Sequence, residues 1–229
     1  MKILAVGAHP DDIEFGCGGI LIKEAKKGST LKNLVLTKGE AGSNGTPEGR
    51  EEESEQAAKI MGADIEFLEM GGDCHVNYLP ENVIEIARVI RIFKPDIVLT
   101  PDLGTNQHPD HFKVGQMTRD ACRYARYGGL TELKDLPCHK IKNLYFYPVT
   151  SEIDHPDIVI DISDVFETWV EVMKCHESQL QTRQYIELQT RRASHLGTLT
   201  GGNYAQGLWK NDALQVDFIS DLGLSSRNF

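Results

Sequence analysis

Apolar positions in the first hundred residues follow two rhythms. Residues 2–6 (KILAV) form a short apolar run that ends at Gly7, and residues 16–28 then show helical spacing with a terminal glycine, which predicts a strand, a loop and a helix. Residues 31–37 read as a second strand, and residues 50–61, rich in Glu and Ala and stopped by Gly62, as a second helix. The alternation repeats at residues 65–68, 82–93 and 97–100. Strands alternating with helices at this spacing predict an α/β fold, Rossmann-like, in which a mostly parallel sheet carries helices on both faces. Beyond Tyr124 the rhythm is less regular. There, residues 143–149 and 157–163 read as strands, 165–180 and 183–196 as helices, and 213–219 as a closing strand. At 229 residues, with no linker, internal repeat or low-complexity segment, the expectation is a single domain over residues 1–229.

In a parallel sheet of this kind ligands gather at the carboxyl ends of the strands, so the loops after Val6, Thr37 and Thr100 are where chemistry is expected. The first strand runs directly into A-H-P-D-D, residues 8–12, which packs one imidazole and two carboxylates into four positions. Neighbouring side chains in a turning segment point apart, so one of Asp11 and Asp12 can ligate a metal while the other faces a water. The second cluster, H-P-D-H at residues 108–111, follows the fourth strand. Pro109 suits the first position of a helix, which puts His108 and His111 about one turn apart and facing one pocket. His9, Asp12 and one histidine of that pair make the three-ligand open pattern of a catalytic zinc ion, which lowers the pKa of a bound water to about 7. Asp11 is then placed to take a proton from water, and the remaining histidine to stabilise an oxyanion or protonate a leaving amine. Either cluster alone is equally a strand-to-helix turn with a carboxylate capping the helix. Their joint occurrence on one sheet edge is what points to metal-assisted amide hydrolysis.

Gly16, Gly18 and Gly19 resemble part of a dinucleotide-binding loop, but the charged cluster intervenes and no final glycine is correctly spaced, so these glycines are read as close helix packing beneath the site. Charge narrows the partners. A formal net charge of -10 disfavours nucleic acid and anionic membrane surfaces, and leaves a small molecule. The N-terminal apolar run is too short for a signal core, and no run approaches the roughly 20 apolar residues of a membrane span. The five cysteines are odd in number and contain no C-x-x-C pair, which fits a reducing, cytoplasmic setting rather than a disulfide framework or thiolate zinc site.

The A-H-P-D-D and H-P-D-H motifs, separated by about a hundred positions, closely resemble the N-acetylglucosaminyl deacetylase family, also called PIG-L-like or LmbE-like, and the pattern is nearest to the deacetylases of bacillithiol synthesis. Residues 43–64, H-E-S-Q-L at 176–180 and N-Y-A-Q-G-L at 203–208 extend the resemblance over most of the chain. It implies a Zn2+ ion on His9, Asp12 and His111, Asp11 as general base, His108 as the group that stabilises the oxyanion, and Asp110 orienting His108. Arg50 matches a substrate-contacting arginine and Tyr185 falls near a tyrosine that assists at the intermediate. Read without the family, Arg50 could simply pair with Glu53 on a solvated helix face, the lesser of its two readings, and Tyr185 is equally an amphipathic core residue. Two departures bear on substrate: Gln206 stands where relatives carry a glutamate, a position that would touch substrate or a zinc-site histidine, and Asn106 stands where some carry an aromatic hydroxyl.

The expectation is therefore a zinc-dependent hydrolase that removes the acetyl group from an N-acetylglucosaminide such as N-acetylglucosaminyl malate. Fe2+ suits the same two histidines and carboxylate. The alternative is a non-catalytic zinc- or sugar-binding protein on the same fold, with a nucleotide-binding regulator a further one. Relatives of this kind often form homo-oligomers, and apolar segments after Ile141 offer an interface.

Overall fold

The computed structural model describes residues 1–105, 107–149, 155–223 and 225. Asn106, one of the two departures, lies outside the described residues. The chain opens as β1 (Lys2–Gly7), α1 (Asp12–Lys26), β2 (Thr30–Val35), α2 (Pro47–Met61), β3 (Ala63–Phe67), α3 (Pro80–Phe93), β4 (Ile97–Pro101), α4 (Pro109–Arg126) and β5 (Asn143–Tyr147). The five strands form one parallel sheet in the order β3-β2-β1-β4-β5. This order reverses direction between β1 and β4, and the loops leaving those strands splay apart there. The resulting crevice is where an open α/β sheet binds ligands. Both histidine-containing motifs sit on those two loops.

Two buried clusters flank the sheet. Ile3, Ala5, Leu31, Val35 and Leu99 face one way, against α1 and helices from the second half of the chain, while Leu4, Val6, Leu34 and Val98 face the other, against α3 and α4. Adjacent residues of one strand thus enter opposite cores, so β1 and β4 read as near-continuous apolar runs, whereas the edge strand β3 (ADIEF) alternates. Arg91, buried in α3, donates to the carbonyls of Ala125, Leu133 and Tyr127 at 2.9, 2.6 and 2.6 Å, which pins the far end of α4 and fixes the aim of its N-terminus.

The second half departs from the expected elements. The helix expected over residues 165–180 is broken into α5 (Phe166–Lys174) and α6 (Glu177–Leu180), with Cys175 and His176 at the break; α7 (Tyr185–Thr200) follows. The closing strand is not residues 213–219, which are exposed and outside regular strand structure. Instead β7 (Ala205–Leu208) pairs antiparallel with β6 (Ile158–Asp161), and Trp209 bridges to Phe146 of the main sheet. Leu214, Val216 and Phe218 alternate like a strand but meet no partner strand among the described residues, and pattern alone does not supply one. The glycines of α1 act as expected. A Cβ at Gly19 would lie 2.7 Å from Ile162 Cδ1, and one at Gly16 2.8 Å from the Pro148 carbonyl. Among the described residues no helix is long and apolar enough to cross a membrane.

Candidate active site

Helix α1 starts four residues earlier than its spacing predicted, taking in Asp12 as its first residue. Asp11 occupies the N-cap with φ 106°, a backbone region L-residues seldom adopt, and makes no side-chain capping bond. The capping alternative thus fails for Asp11. Its carboxylate instead points to the pocket, 3.6 Å from Arg50 Nη2. Asp12 faces the other way. Its Oδ2 accepts the amides of Ala8 and His9 at 2.9 and 2.8 Å, and its Oδ1 stands 2.9 Å from His111 Nε2.

From β4, His108 forms the N-cap of α4 with Pro109 in the first turn, as the spacing predicted. The rings of His9, His108 and His111 form a triangle with centroid separations of 4.8, 5.3 and 5.3 Å. His108 Nδ1 accepts the Asp110 amide at 3.2 Å, so the neutral ring carries its proton on Nε2, turned toward the pocket. Burial, with the charges of His9 and His111, lowers the His108 pKa and keeps that neutral form. Asp110 therefore orients His108 through its backbone; its carboxylate goes elsewhere, accepting the Cys74 amide at 2.7 Å and lying 3.3 Å from His9 Nε2.

The loop after β3 contributes Asp73, whose Oδ1 is 3.0 Å from His9 Nε2. Sequence reasoning examined the loops after β1, β2 and β4 and passed over this one, although the same strand-end rule covers it. His9 thus has Asp12 on its Nδ1 side, at 3.5 Å, and two carboxylates on its Nε2 side. Burial opposes a charged His9, yet Asp12, Asp110 and Asp73 together raise its pKa well above the ordinary value. Burial opposes a charged Asp12 as well, but His111 and His9 hold its pKa well below the usual range. Asp11 shifts in the reverse direction: burial and the Asp12 charge raise it, with Arg50 and His9 opposing.

Arg50 is buried, which excludes a solvated pair with Glu53. That glutamate instead binds Ser178, through its amide and hydroxyl at 2.8 and 2.7 Å. Arg50 holds the Gly39 and Pro10 carbonyls at 2.8 and 2.9 Å, locking the β2 loop to the A-H-P-D-D turn. Tyr185, at the start of α7, stacks on Phe15 with centroids 5.5 Å apart and lines the pocket. Gln206 is not brought there. Its Oε1 accepts the Ile20 amide at 3.0 Å on the far side of α1, because β7 packs on the glycine face of that helix, and its side chain is not among those lining the pocket. A buried pair behind the site, Glu14 and His176, was also missed as chemistry: His176 Nε2 lies 3.7 Å from Glu14 Oε2, and both ring nitrogens lack hydrogen-bond partners.

The pocket encloses about 220 Å³ and is lined by His9, Asp11, Asp12, His108 and His111 on one wall and Gln179, Arg183, Tyr185 and Gln189 on the other. A larger cavity of about 530 Å³ between α4 and β5 is lined by Arg119, Arg123, Arg126, Lys140 and Lys142 and has none of these acid-base groups. The donor set of the smaller pocket fits a divalent cation. Asp12 Oδ1 stands 2.9 Å from His111 Nε2 and its Oδ2 3.5 Å from His9 Nδ1, so each histidine meets a different oxygen of that carboxylate, and one nitrogen from each of His9, His108 and His111 lies within 4.8 Å of the others. His111 Nδ1 is buried without a partner. Asp11, Asp12, Asp73 and Asp110 converge on three imidazoles, an excess of carboxylate that calls for a positive charge.

Comparison with known proteins agrees with this geometry. The family model described as GlcNAc-PI de-N-acetylase (PIG-L) matches residues 4–122. Diacetylchitobiose deacetylase of Thermococcus kodakarensis is 33% identical over 223 residues, covering 90% of this chain and 82% of that protein. A probable N-acetyl-alpha-D-glucosaminyl L-malate deacetylase of Bacillus subtilis is 25% identical over 78% of this chain and 83% of its own. The structure of the conserved protein TT1542 from Thermus thermophilus superposes with a TM-score of 0.83 at 29% identity, covering 93% of this chain and 96% of that one.

Proposed function

The chain belongs to the GlcNAc-PI de-N-acetylase (PIG-L) family and is a deacetylase of N-acetylated sugars, a premise from which we propose a zinc-dependent enzyme that hydrolyses the acetamide of an N-acetylglucosaminide, N-acetylglucosaminyl malate among them. The observation that carries this reading is the division of labour between adjacent carboxylates. Asp12 is committed to His111 and the turn amides, whereas Asp11 faces the pocket with a raised pKa. A site that only held a metal or a sugar would need no second carboxylate turned away from the ligands.

His9, Asp12 and His111 would hold the ion, and His9 Nε2–H would donate to Asp73 and Asp110, an outer arrangement that leaves Nδ1 for ligation. Zinc bound there would polarise the acyl oxygen and lower the pKa of an attacking water to about 7. Iron(II) suits the same donors. Asp11 accepts the proton of the attacking water, and its raised pKa keeps it able to pass that proton on to the departing amine. His108 presents Nε2–H to the oxygen on which negative charge develops. Arg50 holds Asp11 and both flanking loops, and Tyr185 forms the opposite wall with Phe15 behind it. A pocket of about 220 Å³ is smaller than the usual ligand site of about 300 to 1,000 Å³. It accommodates one sugar ring with its acetamide and leaves the aglycone at the mouth.

The test is acetate release from N-acetylglucosamine, N-acetylglucosaminyl malate and N,N'-diacetylchitobiose, by protein stripped of metal and reloaded with stoichiometric zinc. Turnover that is lost on stripping and returns with zinc is expected. A protein that takes up zinc tightly and releases acetate from none of the three would remove the proposed substrate class.

A further inference from the structure

Around Asp73 and His108 of the pocket stands a second group of metal-ligating side chains, completed by Cys74 beside them. Cys74 Sγ lies 3.3 Å from Asp73 Oδ1 and 3.8 Å from His108 Nε2, and one donor atom from each of the three lies within 4.8 Å of the others. None of the three is among His9, Asp12 and His111, though Asp73 Oδ1 is also 3.0 Å from His9 Nε2, so filling the set competes with that support of His9. A tetrahedral ion bonded at about 2.3 Å to sulfur and about 2.0 Å to nitrogen or oxygen holds such atoms about 3.5 Å apart, so little movement closes the set. Cys74 has φ 65°, in the left-handed region that favours glycine, and its amide is tied to Asp110 Oδ2 at 2.7 Å. A side chain is thus held in a costly backbone conformation directly beside a pocket histidine.

We propose that Asp73, Cys74 and His108 form a second site for a thiophilic divalent cation, weaker than the first, whose filling inhibits the enzyme. Filling it releases the Cys74 thiol proton to solvent as the sulfur–metal bond forms. The single proton of neutral His108 must also move from Nε2 to Nδ1, where it opposes the Asp110 amide and costs that hydrogen bond. This cost, together with partial exposure, places the site below the first in affinity. The inhibitory part rests on the role given to His108 above: once Nε2 is bound to a cation it no longer offers a proton to the oxyanion. A thiolate selects zinc or cadmium over magnesium or manganese, so inhibition by excess ion should follow that preference.

The experiment has an arm that does not depend on turnover. Metal-stripped protein is titrated with Cd2+ while thiolate-to-cadmium charge transfer is followed in the ultraviolet, and zinc-loaded protein is assayed for acetate release with and without further Zn2+. Two equivalents of cadmium are expected, the charge-transfer band growing only with the second, and excess zinc should lower turnover at least tenfold. Cys74→Gly suits the backbone angle and keeps the amide bond to Asp110; Cys74→Ser is a second variant that keeps a side chain. Both should take up one equivalent without the band, and should turn over at the wild-type rate with or without excess zinc. A band that persists in either variant, a single equivalent in the wild type, or equal zinc inhibition of wild type and variants would overturn the proposal. A two-step cadmium titration in a protein that releases no acetate would sink the deacetylase reading while supporting the second site.

Discussion

Asp11 and Asp12 are chemically identical and adjacent, and only the backbone separates their tasks. With φ 106° at Asp11 the chain turns so that one carboxylate meets two histidine-bearing loops and the other meets the pocket. Asp11→Asn keeps the shape and removes the base. It should retain one zinc per chain and lose about 10²- to 10⁴-fold in turnover, whereas Asp12→Asn should lose zinc first; metal analysis beside acetate release separates the two. Turnover within tenfold of wild type in Asp11→Asn would falsify its assignment as the base. His9, Asp11, Asp12, His108 and His111 were legible because each sits in a local cluster of unusual polar density just past a strand. Asp73 and Cys74 were not, because a single Asp or Cys in a loop carries no local signature and gains meaning only when the loop after β3, two strands from β1, folds over to His9 in space. Gln206 illustrates the converse: a position matched by resemblance says nothing of which side of α1 its side chain lies on.

Elements show where periodicity stops being informative. The β1-to-α4 alternation was readable because short apolar runs such as β1 and β4 alternate with longer stretches of helical spacing, so the sequence repeats two distinct rhythms. After α4 the pieces other than α7 are short and capped by context. His176 sits at the break between α5 and α6, fully buried against Phe15, which a helical pattern does not distinguish from an interior helix position. Burial and the charge of Arg50 push its pKa to about 3. The unfolded chain takes up this proton near its ordinary value of about 6.5, so the native state loses stability as pH falls from about 6.5 toward 3. His176→Phe keeps the ring contact and removes the titration. Relative to wild type, the variant should therefore gain about 1.4 kcal/mol per pH unit as pH falls through that window, read from urea unfolding at several pH values; parallel pH curves for the two proteins would count against the buried neutral histidine. In α1, Gly16→Ala gains about 1 kcal/mol of helix propensity but pushes a methyl to 2.8 Å from the Pro148 carbonyl and into the Tyr147 ring. That ring is fixed by a 2.7 Å bond from its hydroxyl to the Val6 carbonyl, so a net loss of about 1 to 3 kcal/mol is expected. An unchanged or raised urea midpoint would show that the packing there is loose.

At the scale of the molecule, the reversal of strand order between β1 and β4 brings acidic loops from the ends of β1, β3 and β4 into one crevice. The fold thereby concentrates four carboxylates in a protein already carrying a net charge of -10. Without a cation the carboxylates are opposed by protonation of His9, by Arg50 beside Asp11 and by Lys113 3.7 Å from Asp110, and like charges still face one another at short range. A divalent ion removes that repulsion only in the folded state, since the ligands come from loops about a hundred residues apart. Its binding therefore adds to folding stability: an ion at 100 times its dissociation constant contributes about 2.7 kcal/mol. In a chain of this length each kcal/mol moves the melting temperature by about 2 to 4 °C. Stripping the metal with a chelator should then lower Tm by about 5 to 10 °C, and stoichiometric zinc should restore it. Asp11→Asn gives the internal control. It removes one of the repelling carboxylates without touching a proposed ligand, so its metal-free form should melt above metal-free wild type while its zinc-loaded form melts at or near the wild-type value. If chelation left Tm unchanged in both proteins, the crevice would not depend on a bound cation, and the ligand assignment to His9, Asp12 and His111 would have to be given up.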